Sequence, residues 1–161
     1  MAVKKPLVVG TNGKPQQLQS GDSITVATTS SDVVTRTNSE AGAIVIGTPV
    51  YDFSAGTVKK AQANAVGTAT VTGLVYDTSI TNATSGQIVT DGLLVATTTQ
   101  WDAVAGTTGG LVFNTTYFLS PTTAGLLTAT VPTTVGQLVV EIGVAWSTTD
   151  LNVNIKSEIL L

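Results

Sequence analysis

The 161-residue chain contains no cysteine and no histidine. Without cysteine there is no disulfide framework, no zinc ribbon and no thiol nucleophile. Without histidine there is no Ser-His-Asp triad, no imidazole acid–base catalyst and no histidine-ligated metal. Charged residues make up only 11%, against about 25% in an ordinary soluble domain. Only eight residues are aromatic. No apolar run approaches the ~18 residues of a membrane span. Lys4 and Lys5 imitate the basic start of a signal peptide, but Pro6 follows at once. The apolar stretch Leu7–Val9 is far shorter than the roughly 7–15 residues such a signal needs. Synthesis and assembly in a cytoplasm are expected, with no membrane contact and no cofactor. In that setting the glycosylation-type triplets at Asn82 and Asn114 read as chance.

What the chain has is threonine and valine, 30 and 22 residues. Both are β-branched, lose rotamer freedom in helices and pack well on pleated sheets. No window sustains an apolar i, i+3, i+4, i+7 pattern; short runs broken by Gly, Asn, Asp and Pro dominate. The mean hydropathy of +0.34 and a net charge of −3 argue against disorder. The expected fold is all-β with less than about a tenth of residues in helix. Strands are expected at Ile24–Ala27, Val33–Thr35, Ala43–Ile46, Val50–Phe53, Val58–Ala61, Thr68–Tyr76 and Gln87–Ala96. They continue at Thr116–Leu119, Leu126–Val131, Gln137–Ala145 and Leu151–Ile155. Turn signals every 8–12 residues point to one barrel or sandwich.

Charge divides the chain unevenly. Residues 1–20 hold Lys4, Lys5 and Lys14 and no acid, while residues 21–161 hold four basic and ten acidic residues. With Pro6 and Pro15 disfavouring helix, residues 1–22 read as an extended arm leaving an acidic body over 23–161.

The body carries an apparent duplication, about 47–94 and 114–161. Val50-Tyr51-Asp52-Phe53-Ser54 matches Tyr117-Phe118-Leu119-Ser120-Pro121. Gly56, Gly67 and Gly73 are matched by Gly125, Gly136 and Gly143 in the same order. Ile88–Leu94 loosely echoes Asn154–Leu160. One such unit has too few strands to close a core, and two together could.

Candidate chemistry is sparse. The seven Asp mostly adjoin Gly, Ser, Thr or strand ends, where Asp caps or forms Asx-turns. Gly106-Thr107-Thr108-Gly109-Gly110 lacks the lysine and strand–helix context of a phosphate loop and reads as a flexible loop. Lys59-Lys60 on an acidic body makes no nucleic-acid patch. Trp101, in the polar stretch Thr97–Asp102, is either an interface anchor on a loop or a lid folded back on the barrel. So few charges cannot cover the surface evenly, so faces should be left for partners. Trp101, Tyr117 and Phe118 are candidates for an oligomer interface, most readily a homotrimer.

Three stretches carry a family resemblance. Lys5 to Asp22, through Pro6-Leu7-Val8-Val9-Gly10-Thr11-Asn12-Gly13, resembles the N-terminal segment of tailed-bacteriophage structural proteins, fibre and head-decoration proteins among them. Thr116 to Thr128, through Tyr117-Phe118-Leu119-Ser120-Pro121, resembles a segment common in small phage virion proteins, and so does Gly143-Val144-Ala145-Trp146-Ser147. The resemblance covers about half the chain and implies a virion structural protein without a catalytic residue. A head decoration (cement) protein fits best. Such proteins are small β-rich bodies, often trimeric, that clamp the major capsid protein and use extended termini to add strands to the lattice. The arm residues Lys4, Lys5, Leu7, Val8, Val9 and Lys14 would then contact the capsid or another partner on the outer surface of the virion. A tail-fibre or baseplate adaptor is the first alternative, a carbohydrate-binding module the second and an enzyme the last.

Overall fold

The computed structural model describes the backbone of Leu7–Val9 and Pro15–Gln17 and all of residues 31–161. Lys4, Lys5, Lys14 and the strand expected at Ile24–Ala27 lie outside the described residues. The fold is all-β, with 42% strand and 9% helix. Strands β1 (Leu7–Val9) and β2 (Pro15–Gln17) pair antiparallel, with Leu7 opposite Gln17 and Val9 opposite Pro15. Leu7–Val9, expected to offer itself to a partner chain, thus has one edge taken by its own chain.

The body runs β3 (Asp32–Asn38), β4 (Ile44–Val45), β5 (Pro49–Ser54), β6 (Thr57–Lys60), α1 (Val66–Ala69), β7 (Gly73–Val75), β8 (Ser79–Ile80) and β9 (Ser85–Val95). It continues with α2 (Thr98–Ala105), β10 (Thr116–Leu119), β11 (Leu127–Thr128), β12 (Leu138–Val139), β13 (Glu141–Ala145), β14 (Asp150–Asn154) and β15 (Ile159–Leu160). Strands β9, β3, β6, β5 and β7 close a ring, because β7 pairs back onto β9. From β9 a second sheet extends through β14, β13, β10 and β11.

One long strand serves both sheets, and a bulge makes that possible. Asp32 lies opposite Asp91 but Val33 opposite Val89, so Thr90 is the extra residue in β9. Gly92 follows at φ +98°, where a Cβ would also come 2.9 Å from the Cα of Ser31. A bulge bends its strand and shifts which face each side chain takes. Before it, Ile88 points into the barrel and Val89 into the outer core; after it, Leu94 takes the outer core. The barrel wall is therefore apolar on both sides. Val50, Val58, Val75 and Ile88 fill the barrel with Ile44 and Ile80. Leu74 and Val89 face the larger core shared with the second sheet and α2.

Two expectations are corrected. Thr68–Tyr76 is not one strand: α1 takes its start and β7 its end. The Thr68 hydroxyl donates to the Gln62 carbonyl at 2.9 Å, giving that backbone a local partner in place of a ladder. Thr97–Asp102 is not a loop but the N-terminal part of α2.

The two proposed repeat units share a register. Val50 pairs with Gly73 and Pro49 with Leu74, while Tyr117 pairs with Gly143 and Thr116 with Val144. Other parts differ. Gly67 sits in α1 without a positive φ, whereas Gly136 has φ +89°. The strand beside β13 is β14, which ends where the loose echo of Ile88–Leu94 begins.

Candidate functional site

The three aromatic residues assigned to an oligomer interface divide sharply. Trp101 and Tyr117 are 0% exposed, enclosed by their own chain, and only Phe118 keeps solvent access. Trp101 is buried because α2 forms and turns it inward. The Thr97 hydroxyl accepts from the Gln100 N–H, the Gln100 side chain accepts from the Thr97 N–H, and Gly106 closes the helix in the left-handed conformation. This is a capping box with a glycine stop. The Trp101 indole N–H donates to the Thr149 carbonyl at 2.8 Å, and the ring lies over Gly47. The Tyr117 hydroxyl accepts from the Val112 N–H at 3.0 Å. Neither ring is available as an anchor for a partner.

The surface that remains is the outer face of β9, β14, β13 and β10. Strand alternation sends Leu94, Leu151, Val153, Ala145 and Tyr117 inward, and all are buried. The opposite face carries a cross-strand row of Thr116, Val144, Asn152 and Leu93. Beside it runs Trp146, whose N–H donates to the Asp150 carbonyl at 2.8 Å, then Asp150 opposite Val95. Trp146 is 53% and Val95 56% exposed. Phe118 opposite Glu141 and Asn154 opposite Asp91 complete the face. No element of the described residues covers it.

This face is apolar and acidic together. Asp91, Glu141 and Asp150 lie on it, and Asp32 borders it opposite Asp91. The nearby cation Lys156 donates to Asn154 at 2.9 Å. The one ion pair among the described residues, Arg36 with Asp52 at 2.8 Å, lies on other strands. Sequence reading did not single out Trp146 and Val95 as contact residues: Asp91-Gly92 leaves either a turn or a bulge open within Gln87–Ala96, and the alternation beyond it cannot be phased without choosing between them. A second exposed apolar patch lies at the β12–β15 ladder, where Val135, Ile159 and Leu160 face solvent.

The Gly-rich stretch after α2 is clasped, not loose. Asp102 accepts from the Gly110 N–H at 2.8 Å, the Gly109 N–H at 3.0 Å and the Thr107 hydroxyl at 3.1 Å. The Gly110 bond, with lesser help from Gly109 and Thr107, holds the carboxyl below its ordinary value, against a smaller opposing effect of burial. A depressed folded-state pKa stabilises the fold above the unfolded value of about 3.9. That contribution is lost as pH falls through the lower folded value. The protection of the Gly109 and Gly110 amides, measured relative to their intrinsic exchange at each pH, should therefore fall as Asp102 protonates in acid, and Asp102→Asn should show weakened protection there already at neutral pH.

Other concavities offer less chemistry. An open groove of about 290 Å³ is lined by Ser120, Thr122, Thr128, Pro132 and Gln137 among others, with no charged or aromatic side chain. Sugar-binding modules stack sugars on aromatic faces, and this groove has none. Among the described residues no group of three or more Asp or Glu could hold a metal ion. No helix among them is long and apolar enough to cross a membrane. No protein-family model matches the chain, and no curated protein shows significant similarity to it.

Proposed function

We propose that the chain is a decoration protein of a tailed-bacteriophage head. It binds the outer capsid surface as a non-enzymatic structural component, self-associates as a trimer and stabilises the shell. The observation that carries this reading is the uncovered outer face of β9, β14, β13 and β10, on a body with few charges. A monomer in free solution gains nothing from leaving Trp146 and Val95 in water, whereas a component of an assembly uses such a face. The resemblance of Lys5–Asp22, Thr116–Thr128 and Gly143–Ser147 to phage virion proteins supports the same reading. The N-terminal segment is the shell-binding element in this reading, with Lys4, Lys5 and Lys14 attracted to an acidic lattice and Leu7–Val9 adding a strand to it.

A tail-fibre or baseplate adaptor is the second reading, because the N-terminal resemblance extends to fibre attachment segments. Copy number separates the two. Quantitative mass spectrometry of purified particles should find the chain in a fixed ratio to the major capsid protein, set by the lattice sites. A ratio matching the few copies of a tail component would favour the adaptor.

A further inference from the structure

Charge is separated on the folded body. Arg36, Lys59 and Lys60 stand on β3 and β6, with Asp52 and Glu40 as the acids beside them. The outer face of β9, β14, β13 and β10 instead sets Asp91, Glu141 and Asp150, with Asp32 at its border, against Lys156 alone.

The tip of the β5–β6 hairpin forms a knob. Asp52 lies opposite Val58 and Ser54 opposite Thr57, so Phe53 is an extra residue in its strand. A bulge of this kind re-aims the side chain it carries. Residues 52–56 are all exposed, and Phe53 is 52% exposed. The Lys59 ammonium lies 3.8 Å from the centre of the Phe53 ring. Asp52 is already neutralised by Arg36, and Lys59 has no carboxylate partner among the described residues. The knob thus holds one aromatic ring and one uncompensated cation together.

The outer face has a matching socket at one end. The Trp146 N–H donates to the Asp150 carbonyl, which sets the two residues side by side on neighbouring strands. Val95 lies opposite Asp150. The Asn114 N–H donates to the Ala145 carbonyl, so the exposed Val112 and Phe113 stand at the same end of the sheet. Neither surface suits a copy of itself. Face on face would set acid against acid, and knob on knob would set Lys59 against Lys59; like charges brought together across an interface are costly. Knob on face is complementary in both charge and apolar character. A contact between two different patches of the same chain is heterologous, and it builds a ring when its rotation closes.

We propose that the β5–β6 knob of one copy docks on the Trp146 end of the outer face of the next copy. Phe53 packs against Trp146 and Val95, and Lys59 pairs with Asp150. Taken with the trimer of the proposed function, on which the number of subunits rests, three such contacts close a ring and leave no knob or socket in water. Each subunit makes two contacts, so closure adds avidity to a contact of modest size.

Sedimentation equilibrium of the full-length chain tests this. The unmodified protein is expected at three times its 16.4 kDa chain mass. A knob variant, Phe53→Ser with Lys59→Glu, and a face variant, Trp146→Ser with Asp150→Lys, should each associate at least tenfold more weakly and run as monomers. None of these four side chains is buried, and circular dichroism checks that each variant folds. Mixed in equal amounts, the two variants should form a dimer and stop there, because the mixture offers one intact knob and one intact socket. An interface made of the same patch on both copies cannot give that result. Lys59→Glu with Asp150→Lys in one chain exchanges the charges and should recover the ring. In 1 M salt, where the Debye length is about 3 Å, association of the unmodified chain should weaken. A trimer indifferent to both variants would overturn the knob–face contact and leave the trimer standing. Variants that dissociate but do not combine into a dimer would overturn the contact too. A ring of another size that both variants break would keep the contact and refute the trimer, and a monomeric unmodified chain would refute both.

Discussion

Trp101→Ala is expected to lower the stability of the fold by about 3–5 kcal/mol, the usual cost of removing a large buried aromatic. The indole is 0% exposed in the core shared by the barrel wall, α2 and the second sheet. Its loss leaves a cavity beside Gly47, whose missing side chain makes room for the ring. It also strips the Thr149 carbonyl of the indole N–H, a hydrogen bond whose loss adds about 1 kcal/mol. Domains of this size have total stabilities of about 5–15 kcal/mol, so the variant should be marginal. Urea unfolding followed by circular dichroism measures it. A midpoint close to wild type would mean that α2 does not close this core.

Gly143→Ala should be comparably severe. A Cβ there would lie 2.2 Å from the carbonyl oxygen of Asn152 on the neighbouring strand. The obstacle is backbone, which cannot swing aside as a side chain can, so the β13–β14 ladder must open. Overpacking costs about 1–3 kcal/mol and occasionally more; here the upper end or beyond is expected. Gly73 meets the same obstacle, with a Cβ 2.3 Å from the Val89 carbonyl oxygen. Gly136 is the control. It has φ +89° and open space where a Cβ would go, so alanine there costs only the strain of that conformation, about 1 kcal/mol. Equal thermal shifts for Gly143→Ala and Gly136→Ala would show that close strand approach is not what requires glycine at 143.

The strand content was legible because β-branched residues and turn signals act locally. Thr116–Leu119 coincides with β10, and Val50–Phe53 lies within β5. The hairpin turn at Ser54-Ala55-Gly56 needs only Gly56 and its φ of +75°. The pair Asp91-Gly92 marked the bulge in β9, but no sequence feature told that the strand joins two sheets there. Barrel closure depends on β7 returning to β9, a long-range pairing of two short segments.

The helix α2 was readable in principle. Thr97 and Gln100 stand at capping-box spacing, and Gly106 stands at the stop. The apolar pattern hid it, because only Trp101 and Val104 of its eight residues are buried. For the same reason the sequence left Trp101 open between an interface anchor and a lid folded back on the barrel, and its burial excludes the first. Phe118 lies on the uncovered face, while its neighbours Tyr117 and Leu119 point into the core. In a strand, a candidate contact residue is decided by phase; β10 alternates regularly, and the extra residue at this register shift, Ile142, lies in β13.

The decoration reading is tested most directly by imaging phage particles made with and without this chain. The account predicts extra density on the outside of the head at repeated lattice positions, present only when the chain is supplied. It also predicts that heads lacking the chain release their DNA at lower temperature. Unchanged heads, or density confined to the tail, would contradict it.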